Sequence, residues 1–214
     1  MSRTAQFFSN LAVCAVAGVV TLSPAKADEV TEQINLGLEL YESEAFGAAI
    51  VELEFAIEDI RDAMNEQIGT TFPDAPEGWT AMDPETGGGG GGKAAGLLGG
   101  LGGGSNISRS YTENEGEGVM QAAIMLDNPM MQSLAAMMNN PSMFAAQPNV
   151  ERLRVGRERG MLKWEEEQGS AEANVMIDGR IMLQVTGNNL DSADRVEELM
   201  QSWDLEALRS SAAR

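Results

Sequence analysis

Apolar residues in this 214-residue chain keep two different periods, and a glycine tract lies between them. Before the tract they recur at three- and four-residue steps, the spacing of one face of a helix. After it they fall largely into short alternating runs, the spacing of half-buried strands. The tract itself, Gly87 to Gly104, holds twelve glycines in 18 residues, with Ala94, Ala95, Leu97, Leu98 and Leu101 among them. Chain this rich in glycine loses too much entropy on ordering to hold a helix or strand. A flexible insertion with an end-to-end distance of roughly 24 Å is expected there. The two periods predict an α+β protein: an N-terminal helical hairpin, then a mostly antiparallel sheet with helices packed on it.

The first 27 residues read as a secretory signal. Arg3 is a positive start, Leu11 to Leu22 is an apolar run, Pro24 breaks it, and Ala25-Lys26-Ala27 is a small-x-small site. Cleavage is expected after Ala27, in a periplasmic protein. Leu11-Ala12-Val13-Cys14 faintly follows a lipid-attachment pattern, with Asn10 and Val13 against it, and the Ala27 site explains the same segment better. Cleavage removes Cys14, the one cysteine, and the chain has no histidine. It also removes Arg3 and Lys26, which takes the formal net charge from −19 to −21. Such acidity opposes binding to nucleic-acid phosphates and to anionic membrane surfaces. No stretch after Ala27 reaches the ~18 apolar residues of a membrane helix.

Residues 28–69 are expected to form two helices with a bend at Ser43 to Ala45. Ile34, Leu36, Leu38, Leu40 and Tyr41 crowd the first helix. Phe46, Ala49, Ile50, Leu53, Ala56, Ile57, Ile60 and Met64 recur at helical steps in the second. Over residues 30–64 this hairpin resembles a single tetratricopeptide repeat. Leu36-Gly37, Leu40, Phe46, Ala49, Leu53 and Ala56 stand at the spacing of that family's packing positions. Gln33, Glu44 and Arg61 stand where the family has its early tryptophan, its turn glycine and its closing proline. The resemblance implies close helix approach at the small residues, with Leu36, Leu40 and Leu53 inside and Leu38 outside. One such pair cannot bury its apolar face alone, so it must dock on its own chain, on a second copy or on another protein.

Residues 70–86 carry three prolines and read as an extended approach to the second domain, and 87–104 as the insertion. Lys93 follows the glycines with no Ser or Thr after it, so the phosphate-cradle pattern is missing. Residues 105–214 form the α+β domain. Strands are expected at Ser108 to Glu113, Gly118 to Leu126, Val150 to Val155, Met161 to Glu166, Ala171 to Ile177 and Arg180 to Gly187. Arg157 to Gly160 and the pair Asp178-Gly179 are the expected turns. A two-residue turn at Asp178-Gly179 puts Val175 opposite Met182 and Met176 opposite Ile181. Both faces would then carry apolar side chains, and both could be covered. Helices are expected from Asn128 to Asn139 and from Ala193 to Trp203, the latter capped by Ser192 or Asp191. This order, opened by Pro76-Glu77-Gly78-Trp79, resembles the PsbP-like α/β/α fold. That resemblance implies a non-enzymatic accessory subunit.

The residue inventory limits the chemistry further. Without histidine or a retained thiol, Ser-His and Cys-His catalysis and zinc-finger sites are excluded. Carboxylates remain, densest at Glu165-Glu166-Glu167. On a strand, Glu165 and Glu167 would share a face and could meet a hard cation, or stay solvated. Met130, Met131, Met137, Met138 and Met143 lie within 14 residues. On a helix, Met130, Met137 and Met138 would share a stripe with Leu134. That stripe suits packing or an adaptable interface, and three thioethers could alternatively hold Cu(I). Arg152, Arg154, Arg157 and Arg159 form the one basic cluster. Arg152 and Arg154 would share a strand face and could receive a partner's carboxylates. Otherwise Glu151, Glu158 and Glu165 to Glu167 would neutralise them across the hairpin.

The leading expectation is an exported, non-enzymatic accessory protein that acts by protein–protein contact or self-association, without a cofactor. Leu38, Met131, Met138, Arg152 and Arg154 are its candidate contact residues. A soft-metal or small-ligand protein built on the methionine cluster is the first alternative. A carboxylate-dependent enzyme is the second.

Overall fold

The computed structural model describes residues 24–87, 105–127 and 149–213. The chain forms two compact units, the first reaching to Ala56 and the second running from Ile57.

The first unit is a helical hairpin. Helix α1 spans Pro24–Glu42 and α2 spans Phe46–Gly69, with the unit boundary inside α2. Pro24 opens α1 at a position where its missing N–H leaves no helical bond unmade. Glu44 ends it in a left-handed conformation, φ 62°. Its N–H donates to the Tyr41 carbonyl at 3.1 Å, and the Ala45 N–H donates to the Leu40 carbonyl at 2.9 Å. These two bonds satisfy carbonyls that the end of a helix leaves open. A side chain in this conformation costs roughly 1–2 kcal/mol that glycine avoids.

Small residues close the hairpin. Gly37 is buried against α2, and a Cβ there would lie 2.8 Å from Leu53 Cδ2. Ala49 and Ala56 are buried as well. The larger members of the expected packing set do not follow. Leu36, Phe46 and Leu53 are 43%, 53% and 38% exposed, and Leu40 is half-buried. This corrects the expectation that Leu36 and Leu53 lie inside. Helices that meet at glycine and alanine share only a narrow seam, and bulky neighbours are left on its flanks.

The second unit begins with the remainder of α2 and continues through an 8-stranded sheet. The strands are β1 (Trp79–Ala81), β2 (Glu85–Thr86), β3 (Ser105–Glu113), β4 (Val119–Leu126), β5 (Val150–Val155), β6 (Glu158–Glu165), β7 (Ser170–Ile177) and β8 (Ile181–Asn188). Helices α3 (Asp194–Gln201) and α4 (Leu205–Ser211) follow. The order across the sheet is β1-β3-β4-β8-β7-β6-β5, with β2 also on β3. All seven pairings are antiparallel.

One face of the sheet holds the core. Ile124 of β4, Leu183 of β8, Val175 of β7 and Tyr111 of β3 are fully buried on it. Val196, Leu199 and Met200 of α3, Leu208 of α4, Ile68 of α2 and Phe72 just after it join the cluster. The rings of Phe72 and Trp203 meet at 5.2 Å. Asp204 starts α4 by accepting from the Glu206 and Ala207 N–H groups at 3.0 and 2.9 Å. The helix expected from Asn128 to Asn139 lies outside the described residues, as does the glycine tract beyond Gly87.

Two hairpins differ from expectation. Between β7 and β8 the loop has three residues, Asp178, Gly179 and Arg180, so Ile177 faces Ile181, Met176 faces Met182 and Val175 faces Leu183. The expected Val175–Met182 pairing is one residue out of register. The observed register sets Ala173, Val175 and Ile177 opposite Val185, Leu183 and Ile181, which keeps one face wholly apolar. Between β5 and β6 the turn is Gly156-Arg157 and not Arg157 to Gly160, because Val155 pairs with Glu158. Gly156 takes φ 57°, as the first position of a two-residue turn requires.

Glu44→Gly relieves the left-handed strain in the turn after α1, so amide exchange across Ala49 to Ala56 should slow about fivefold, the equivalent of about 1 kcal/mol. Gly160 is the opposite case. A Cβ there would collide with the Asn174 carbonyl oxygen and lie 2.6 Å from Val175 Cγ2. Gly160→Ala should therefore destabilise the second unit by about 2 kcal/mol in a denaturant melt.

Candidate functional site

In the first unit, Ile34, Leu38 and Tyr41 follow one another at four- and three-residue steps along α1, and Phe46, Ile50 and Leu53 do the same along α2. All six are 38% to 60% exposed. The Tyr41 and Phe46 rings, 5.6 Å apart, join the two stripes beside the turn. Leu53 touches α1 at Gly37. The hairpin thus presents one apolar strip made from both helices. Leu38 stands on it at 53% exposure. By helical spacing, carboxylates border it at Glu39, Glu42 and Glu54.

In the second unit, the face opposite the core is more polar. Glu172 accepts hydrogen bonds from Asn174 Nδ2 at 2.8 Å and Gln184 Nε2 at 2.9 Å. Lys163 stands opposite Glu172 and pairs with Glu165 on its own strand. The hydrogen bond to Glu165, ahead of its charge, holds the Lys163 ammonium above the usual lysine range. Met176, Met182 and Met125 occupy one register row on β7, β8 and β4. The sequence signal for them was alternation: each is flanked by residues of the buried face. Met130, Met131, Met137 and Met138 lie outside the described residues.

The arginine cluster falls on the β5–β6 hairpin. Arg152 and Arg154 are exposed on one face of β5, and Leu153 and Val155 are buried on the other. Arg159 of β6 lies directly opposite Arg154. The expected neutralisation across the hairpin does not occur. Glu151 points to the core side of β5, Glu158 pairs with Arg209 of α4, and Glu165 pairs with Lys163. Strand alternation separates Glu151 and Glu158 from the arginines: both project from the opposite face. Four other arginines are engaged. Arg180 makes a two-pronged pair with Asp127 at 3.1 and 3.0 Å, Arg195 meets Glu198, and Arg209 also meets Asp178. Arg109 donates to the Met82 carbonyl at 2.7 Å and lies over the Tyr111 ring.

Glu165, Glu166 and Glu167 do not share a strand. β6 ends at Glu165, and Glu166–Gln168 form a 3-10 turn closed by Gly169 in the left-handed region. The run therefore has no common face for a cation, which corrects that expectation. Among the described residues no three His, Cys, Asp or Glu side chains come together as metal ligands.

Tyr111 has the most displaced titration. Burial pushes its phenol up to about 12, against the smaller opposing effect of Arg109. Its hydroxyl donates to the Pro73 carbonyl at 2.8 Å, and the residue is sealed from solvent. This is a structural phenol, out of reach of any substrate.

Comparison with known proteins finds no matching family, no similar curated protein and no similar solved structure. No helix among the described residues is long and apolar enough to cross a membrane.

The Tyr111 environment makes a pH prediction. Its raised value means that the folded state keeps the proton longer than the unfolded chain does. The associated stability is complete below pH 10.0 and is lost as pH rises through about 12. The chain has two tyrosines. An ultraviolet titration of Tyr41→Phe should therefore show one phenol ionising near pH 12, and a midpoint near 10.0 would contradict the burial.

Proposed function

We propose that this protein is an exported accessory factor that acts by protein–protein contact, with the helical hairpin as its contact element. The carrying observation is the apolar strip of Ile34, Leu38, Tyr41, Phe46, Ile50 and Leu53, left half open to water. Isolated exposed apolar residues are ordinary, but a contiguous strip from two helices is the mark of a surface that another molecule covers. Covering these side chains gains on the order of 1 kcal/mol each. The narrow Gly37–Ala49–Ala56 seam leaves the strip outside the hairpin by construction.

The remaining chemistry fits the same reading. A net charge of −19 repels nucleic acid and anionic lipid. The chain has no imidazole for acid–base work, and its buried phenol is sealed. The signal-like first 27 residues support a contact in the periplasm, with partner subunits of an envelope complex as the natural candidates.

Leu38→Asp and Ile50→Asp test this. Both positions are exposed, so each variant should melt within about 0.5 kcal/mol of the parent. Each should lose the protein that the parent retains from the native envelope, or lose self-association in sedimentation. If both variants keep the same partners and the same mass, the strip is not the contact surface.

A further inference from the structure

β5 is the outermost strand of the sheet: it pairs with β6 on one side and with no strand among the described residues on the other. The hydrogen-bond phase shows which of its backbone groups are free. The Trp164 N–H donates to the Asn149 carbonyl at 3.0 Å, so Asn149 and Trp164 form a hydrogen-bonded pair. Bonded pairs recur at every second residue of an antiparallel ladder. Glu151, Leu153 and Val155 therefore bond to β6, and the N–H and C=O groups of Val150, Arg152 and Arg154 point outward. Arg152 and Arg154 are also the exposed side chains on the face opposite the core. Two of the three residues with open backbone groups thus also carry the open guanidinium groups.

Two features select what can pair there. Arg154 faces Arg159 across the hairpin, an unfavourable juxtaposition. No carboxylate among the described residues lies within ion-pair distance of Arg152, Arg154 or Arg159, although the chain has 33 acidic residues. A second copy adding its β5 antiparallel to this one would set arginine against arginine, so the edge resists self-pairing. An incoming strand with acidic residues at alternate positions would relieve the repulsion. Its side chains opposite Arg152 and Arg154 would lie on the same face, with Cβ atoms about 5 Å away. Its intervening residues would lie on the side of Leu153 and Val155.

We propose that β5 is a docking edge for an extended, acid-bearing peptide segment of another protein, which adds as a further strand and places Asp or Glu at alternate positions against Arg152 and Arg154. This is binding by strand addition, with main-chain bonds supplying affinity and the arginine pair supplying selection. It does not depend on the hairpin reading.

The test uses the full chain and a labelled peptide of about ten residues alternating glutamate with threonine, beside the same peptide with lysine for glutamate. The acidic peptide should bind, weaken by about tenfold or more as salt is raised, and shift the amide signals of Val150, Arg152 and Arg154. The lysine peptide should not bind. Arg152→Glu/Arg154→Glu should reverse that preference, and if this variant does not fold, Arg152→Gln/Arg154→Gln should abolish binding of the acidic peptide. Arg152→Pro should also weaken it, because proline removes an outward N–H and leaves the β6 ladder whole. Equal binding of both peptides, or acidic-peptide binding untouched by the arginine variants, overturns the proposal. Binding unchanged in Arg152→Pro overturns strand addition. A β5-dependent dimer, or stronger retention on anionic vesicles than on the acidic peptide, assigns the edge to a different occupant and also overturns it.

Discussion

Every pairing in the sheet is antiparallel, and only one of its faces is covered by described helices; most of the second unit depends on that asymmetry. Antiparallel pairing commits each side chain to one face for the whole width of the sheet. Once Val175 faces Leu183 on the covered side, Ala173, Ile177, Ile181 and Val185 are committed to it as well. Ile124, Leu126 and Tyr111 follow through β4 and β3. Helices α3 and α4 need only supply one apolar stripe each, and Val196, Leu199, Met200 and Leu208 do so. Gly187 and Gly160 mark where the fit is tightest. A Cβ at Gly187 would collide with Leu190 and lie 2.8 Å from Val196 Cγ2, so the helix-side chain sits directly on the strand backbone.

The same two-residue period distributes charge. Glu158 and the β5 arginines are neighbours in sequence but lie on opposite faces of the sheet. Glu158 therefore meets Arg209 from α4, and the arginines meet water. Arg209 joins the start of β6 to the β7–β8 loop through Asp178. Asp127 and Arg180 tie the ends of β4 and β8. Such exposed pairs contribute little individually, but the Arg209 pair engages Glu158, the carboxylate between Arg157 and Arg159. A strongly acidic chain is left with a cationic edge.

The hairpin obeys a different rule. Its interior is set by Gly37, Ala49 and Ala56, whose small size lets the helices approach. Each bulky apolar residue added beside that seam is pushed outward. The result is an apolar strip bordered by carboxylates and left half open to water.

The sequence by itself determined the α+β class, both helices of the hairpin, the bend at Ser43 to Ala45 and six of the eight strands, β1 and β2 having read only as an extended approach. These are written in local periods, turn residues and small-residue spacing, which neighbouring residues enforce on one another. Tertiary structure decided the rest. The register of β7 on β8 turned on whether Arg180 belongs to the loop, and burial of one face chose the three-residue loop. The turn after β5 turned on Gly156, whose positive φ moved Glu158 into register opposite Val155. The repeat resemblance implied that Leu36 and Leu53 lie inside, but how deep a side chain lies depends on how closely a second helix approaches, which one helix's period does not encode. The arginine cluster was legible as residues. That Glu158 would be engaged elsewhere followed from α4, some fifty residues away, folding back onto the first residue of β6.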